Sequence, residues 1–125
     1  VAANQAFNIV NGDIFRWRRM WKIVAAGLGV EAADYPGEST PLVQQMANAS
    51  EIWDHIVAKH DLQPYPVETL ASWWHSDADL GRTIETFTDM SRSRRMGFLE
   101  YQETSNSFLN LFDRLRAKRI IPPLG

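Results

Sequence analysis

The stretch from Asp13 to Gly29, "DIFRWRRMWKIVAAGLG", decides what kind of fold this chain can have. Ile14, Trp17, Trp21, Val24 and Leu28 recur at three- and four-residue spacing, which puts them on one face of a helix. Arg16, Arg18, Arg19 and Lys22 fall on other faces. Asp13 is placed to cap the start, because a carboxylate accepts from the free amides of a first turn. Gly27 and Gly29 supply the end. A pyrophosphate cradle needs its glycines after a strand and at the opening of a helix, where amides point at the phosphates. Gly27-Leu28-Gly29 closes a helix, where carbonyls point outward, so the nearest thing to a nucleotide loop is in the wrong place.

Upstream, "AFNIVNGD" alternates Phe7 and Ile9 before Asn11-Gly12, which reads as one short strand ending in a turn. Such a strand has nothing obvious to pair with, and isolated strands are unstable in water. Downstream, "VEAADYPG" is extended, because Tyr35 precedes a proline. Ser39-Thr40-Pro41 opens a helix, with Leu42, Met46, Ala49, Trp53, Ile56 and His60 as its stripe. Asn48-Ala49-Ser50-Glu51 is a second capping signal inside that run, so two helices joined by a bend stand beside one. The prolines of "DLQPYP" break the pattern. A helix from about Val67 to Leu80 follows, closed by Gly81. "TDMSRSRRMG" makes a short, exposed basic helix ending at Gly97, and the last helix begins near Thr104 or Ser105. The expected class is mostly α with one or two short strands (α+β), in five or six helices, as one unit over residues 1–125.

Composition bounds the rest. The 125 residues are 45% apolar and 22% charged, ordinary for one folded domain, and the net charge is −2. No drive toward nucleic acid or an anionic membrane is visible. The absence of cysteine removes disulfides, thiolate metal sites and cysteine nucleophiles. No apolar run approaches the ~20 residues of a membrane span, and "VAANQAFNIV" lacks the pattern of a secretory signal.

Tested for chemistry, the chain offers little. His55 and His60, near Glu51, Asp54 and Asp61, are five apart and lack the zincin pattern; His60 also continues an apolar stripe, which favours a structural role. No serine sits in a G-x-S-x-G turn, and none of Tyr35, Tyr65 and Tyr101 has a lysine four residues on. Asp77 and Asp79 lie on different sides of a helix, so a paired-carboxylate site is not expected from them. His75 and Asp79 meet at i and i+4, either as an oriented imidazole or as a surface contact. Arg92 to Arg95 reads as a solvated basic face. Asn48-Ala49-Ser50 matches a glycosylation acceptor but has no secretory signal to support it. Trp17, Trp21 and Trp53 are expected in the core. Trp73 and Trp74 cannot both face the same way, so one must bury.

Four stretches together carry a resemblance: "AFNIVNGDIFRWRRMW", "EIWDHIVAKHDLQP", "ASWWHSDADLG" and "DMSRSRRMGFLEYQETSNSFLNLFDRLRAKRIIP". In order and spacing they resemble the carboxy-terminal part of the progesterone 5-beta-reductase and iridoid synthase-like proteins. These are a branch of the extended short-chain dehydrogenases/reductases. The most specific elements are Asn11-Gly12-Asp13 with Trp17 and Trp21, Trp53-Asp54, Trp73-Trp74 with Asp77, and Met90 through Leu99.

The resemblance implies an NADPH-dependent reductase of enone-like or carbonyl substrates. Its Rossmann part, with the cofactor and the catalytic tyrosine and lysine, would lie amino-terminal to this segment. The segment itself would cover the substrate pocket and be inactive alone. No catalytic, cofactor-binding or metal-binding residue is expected within it. In relatives, the residue after the paired tryptophans is a pocket-lining aromatic; here it is His75, with Asp79 one turn on. Trp74, His75 and Asp79 are therefore the expected substrate-facing residues. The implied partners are the Rossmann part, a small-molecule substrate and a second copy through the exposed interdomain face, in the cytoplasm, with neither nucleic acid nor membrane. The alternative is a stand-alone helical binding module without cofactor.

Overall fold

The computed structural model describes residues 3–125, in which seven helices and no strand are formed. They are α1 (Trp17–Gly27), α2 (Leu42–Gln45), α3 (Ala49–His60), α4 (Val67–Leu70), α5 (Trp73–Leu80), α6 (Ser91–Arg95) and α7 (Thr104–Ala117). α1 packs on α7, α2 on α5, and α3 on α4. The mostly helical expectation holds, and its strand component is corrected. Residues 7–11 are extended but join no ladder, because no second strand lies beside them among the described residues.

That segment is fastened by side chains and one backbone bond instead. Ser93, only 2% exposed, donates its hydroxyl to the Asn8 carbonyl. The Asn8 amide donates to the Asp89 carbonyl at 3.0 Å, and Gln102 N donates to the Asn11 carbonyl at 2.9 Å. Arg92 donates to the Ala6 carbonyl and lies over the Phe7 ring at 5.1 Å. The basic run is thus more than a solvated face: Arg92 and Ser93 clasp the amino-terminal segment.

Asp13 departs from the expected role. α1 starts at Trp17 without a side-chain cap, while Asp13 Oδ2 accepts the Thr104 amide at 2.8 Å, at the start of α7. The Asn11 amide adds a bond to Thr104 Oγ1 at 2.7 Å. Gly12 makes the turn possible at φ +81°; a Cβ there would also meet the Tyr101 ring at 3.3 Å. The Asn11-Gly12-Asp13 turn therefore caps a helix remote in sequence rather than the one that follows it.

Two of the expected helical runs resolve into shorter pieces than their periodicity suggests. The expected helix over 67–80 divides at Ala71, which is extended at φ −138°, ψ 139°. Ser72 follows it, a residue type that favours caps over helix interiors. The run from Leu42 to His60 also divides, taking the two-helix alternative. α3 closes on Asp61 in the left-handed region, φ 49°, and the Gln63 amide donates to the Arg119 carbonyl at 2.8 Å, tying that corner to the end of α7.

Little apolar surface ends up inside. Met20, Ala25, Leu62, Val67 and Met90 are the buried apolar residues. Trp17 and Trp21, expected in the core, are 45% and 48% exposed. α1 meets α7 through Gly27, which lies against Leu109 and Phe112, and through Trp17, whose ring stands 6.4 Å from that of Phe108. Ile14, Ile84, Phe87 and Leu99 are exposed as well. The chain presents 10118 Å² to solvent, whereas a self-contained monomer of 14.3 kDa presents ~6,800 Å². The excess is about 3,300 Å² on the same scaling.

Candidate functional site

α5 answers the question of the paired tryptophans. Trp73, Ser76 and Asp77 are half-buried on its inward side, and Trp74, His75, Ala78 and Asp79 are exposed on its outward side. Four residues separate Trp73 from Asp77, so one indole and one carboxylate share the inward face. Asp77 Oδ1 accepts the Leu42 amide at 2.7 Å and Oδ2 the Val43 amide at 3.1 Å, both in the first turn of α2.

The outward face gathers the three residues expected to meet substrate. Trp74 is 69% exposed, and its ring lies 5.3 Å from the His75 ring at a 38° tilt. His75 Nε2 stands 3.4 Å from Asp79 Oδ2, and Arg82 Nη2 approaches Asp79 Oδ1 at 2.5 Å. These ion pairs are water-exposed, so each contributes only ~0–1 kcal/mol to stability. Their interest is chemical: an indole face lies beside an imidazole that can donate or accept, with a carboxylate and a guanidinium behind it. Arg82 was not among the expected residues, although its spacing from Asp79 (i, i+3) was available in the sequence.

The other candidates do not assemble. Among the described residues, no group of three or more His, Asp or Glu side chains is placed to hold a metal. His55 is exposed, His60 half-buried, and Asp61 is paired with Arg119. A shallow depression between α1 and α7 is lined by Lys22, Ile23, Ala26, Gly27 and Leu109. It is apolar apart from Lys22 and shares no residue with α5. Gly27 lies in the last turn of α1, against Leu109 and Phe112 of α7, so Gly27-Leu28-Gly29 offers phosphates no helix N-terminus.

Comparison with known proteins follows the same line. The chain is 38% identical over 122 residues to the (S)-8-oxocitronellyl enol synthase of Antirrhinum majus, and 37% identical over 122 residues to that of Nepeta cataria. It is 36% identical over 123 residues to the 3-oxo-Delta(4,5)-steroid 5-beta-reductase of Arabidopsis thaliana. Each match takes in 97% of this chain and 31% of the relative. The chain is homologous to the carboxy-terminal part of these enzymes. The enol synthase and 5-beta-reductase homology extends through both the Asn11-Gly12-Asp13 turn and α5, since nearly the whole chain is matched. The chain spans about a third of the length of the curated relatives it matches. No family model matches it.

Proposed function

We propose that this chain is the substrate-covering carboxy-terminal segment of an NAD(P)H-dependent short-chain reductase acting on enone-like or carbonyl substrates, and that it is inactive alone. One observation carries the reading: homology over 97% of the chain to 31% of enol synthases and a steroid 5-beta-reductase. The surface excess supports it, because a segment that rests on a larger body has an apolar face to cover. Covering even ~400 Å² of apolar surface contributes about 10 kcal/mol before the entropic costs of association.

In this reading the Rossmann part supplies the cofactor site and the proton-transfer groups, and this chain supplies a wall of the substrate space. Trp74 provides apolar contact, and His75, held by Asp79, provides a polar contact where relatives carry an aromatic. A wall of that kind favours a smaller or more polar substrate than a steroid. Without the larger body, two copies would cover each other's apolar faces. Among the described residues, no helix is long and apolar enough to cross a membrane.

The test is an enone panel with NADPH on the full-length protein that contains this segment, beside the isolated chain. Turnover by the former alone supports the reading; turnover by neither removes it. His75→Phe in the full-length protein is expected to shift preference toward apolar enones, and an unchanged preference would discard the role given to His75.

A further inference from the structure

We infer that Asp77 is a positioning residue that decides which of the two adjacent tryptophans faces the substrate space. This rests on the proposal that the outward face of α5 meets substrate. α5 is joined to its neighbours by non-helical chain on both sides: extended Ala71 precedes it, and residues 81–90 follow it without helix. Turning the helix by one residue, about 100°, would exchange Trp73 for Trp74 at the inward position. Either indole can fill that place, so apolar burial does not choose between them. The carboxylate does. Trp73 has Asp77 four residues on, and both oxygens of Asp77 take amides of α2. Trp74 has Ala78 four residues on, which offers no acceptor. In the other setting, the Leu42 and Val43 amides would lose their charge-assisted bonds, among the stronger kind in proteins. Asp77 thereby holds Trp74, His75 and Asp79 outward without itself touching what they meet.

The test has two arms. In this chain, Asp77→Asn keeps the side-chain shape and one acceptor but removes the charge, and Asp77→Ala removes both. Proton-nitrogen spectra are expected to show the Leu42 and Val43 amides shifting and the Trp73 and Trp74 indole signals broadening, with helical circular dichroism unchanged. Combining Asp77→Ala with Ala78→Asp moves the carboxylate one residue and is expected to restore sharp indole signals with the environments exchanged. Unmoved amides and indoles in Asp77→Asn would overturn the inference. In the full-length protein, Asp77→Asn is expected to raise the enone KM roughly tenfold, the ratio that one lost hydrogen bond to a charged group corresponds to. kcat and the NADPH KM are expected to stay within about twofold, a split that general loss of stability does not produce. An unchanged enone KM would also overturn it. A wild-type protein that reduces no enone refutes the reductase reading instead, and the indole spectra then decide the role of Asp77 alone.

Discussion

Asp13 reaches a helix 91 positions along the chain, and its protonation state is bound up with that contact. The Thr104 amide, and next the Thr104 hydroxyl, hold the Asp13 carboxyl below its ordinary value of 3.8. A carboxyl depressed by folding contributes stability fully above the unfolded value, and loses that contribution as pH falls through the folded one. Glu68, held down chiefly by Ser50, and Asp89, held down chiefly by Ser91, act in the same direction. Acid unfolding followed by circular dichroism is therefore expected below pH 3.8. Asp13→Asn should lower the melting temperature near neutral pH and make the acid limb below pH 3.8 shallower, leaving the part that Glu68 and Asp89 supply. An equal acid limb in variant and parent would contradict the assignment. Asp13 was visible in the sequence as a capping residue, but not the helix it caps. Capping chemistry is local, whereas the choice of α7 depends on a chain reversal at Gly12 that spacing does not encode.

At the scale of elements, the contact between α1 and α7 turns on Gly27. A Cβ there would lie 2.6 Å from a Leu109 methyl and 3.2 Å from the Phe112 ring. The leucine end can swing aside, but the ring behind it cannot follow freely. Gly27→Val is expected to destabilise the chain by about 1–3 kcal/mol through overpacking, measured by urea unfolding; an unchanged midpoint would show that the helices part at no cost. The clasp at α6 is a second element-scale device. Ser93→Ala removes the hydroxyl bond to Asn8 and is expected to cost about 1 kcal/mol. Amide exchange around residues 8–11 should quicken more than in α7, and uniform quickening would contradict a local clasp.

These elements also mark how far periodicity reaches. α3, α6 and α7 lie where apolar spacing and turn signals place them. The break at Ala71 is not marked by the apolar spacing; only Ser72, a residue type that favours caps over helix interiors, hints at it. Likewise, spacing located one apolar face of α1 but not its fate: Trp17 and Trp21 share a stripe, yet both stay about half exposed even though Trp17 meets Phe108 of α7. The candidate site was legible as far as Trp74, His75 and Asp79, which do gather on one face. Arg82 stands three residues from Asp79 and was within reach of spacing, whereas the inward role of Asp77 required the structure, since it depends on how α5 is set against α2.

For the whole molecule, exposed surface is the governing quantity. Among the described residues, five buried apolar side chains make a small core, while Trp21, Ile14 and Phe87 are exposed. Sedimentation of the isolated chain at high micromolar concentration is expected to show dimers or larger species. Trp21→Lys should favour monomer with helical content retained. Monomer throughout in the parent chain would mean the outward stripe attracts no second copy.

The central claim is that these helices cover a substrate held by another part of a reductase and have no grip of their own on the cofactor. Calorimetric titration of NADPH into the isolated chain tests it most directly. No saturable heat is expected, because the glycines close α1 and no helix opens beneath them. Stoichiometric binding would contradict the account.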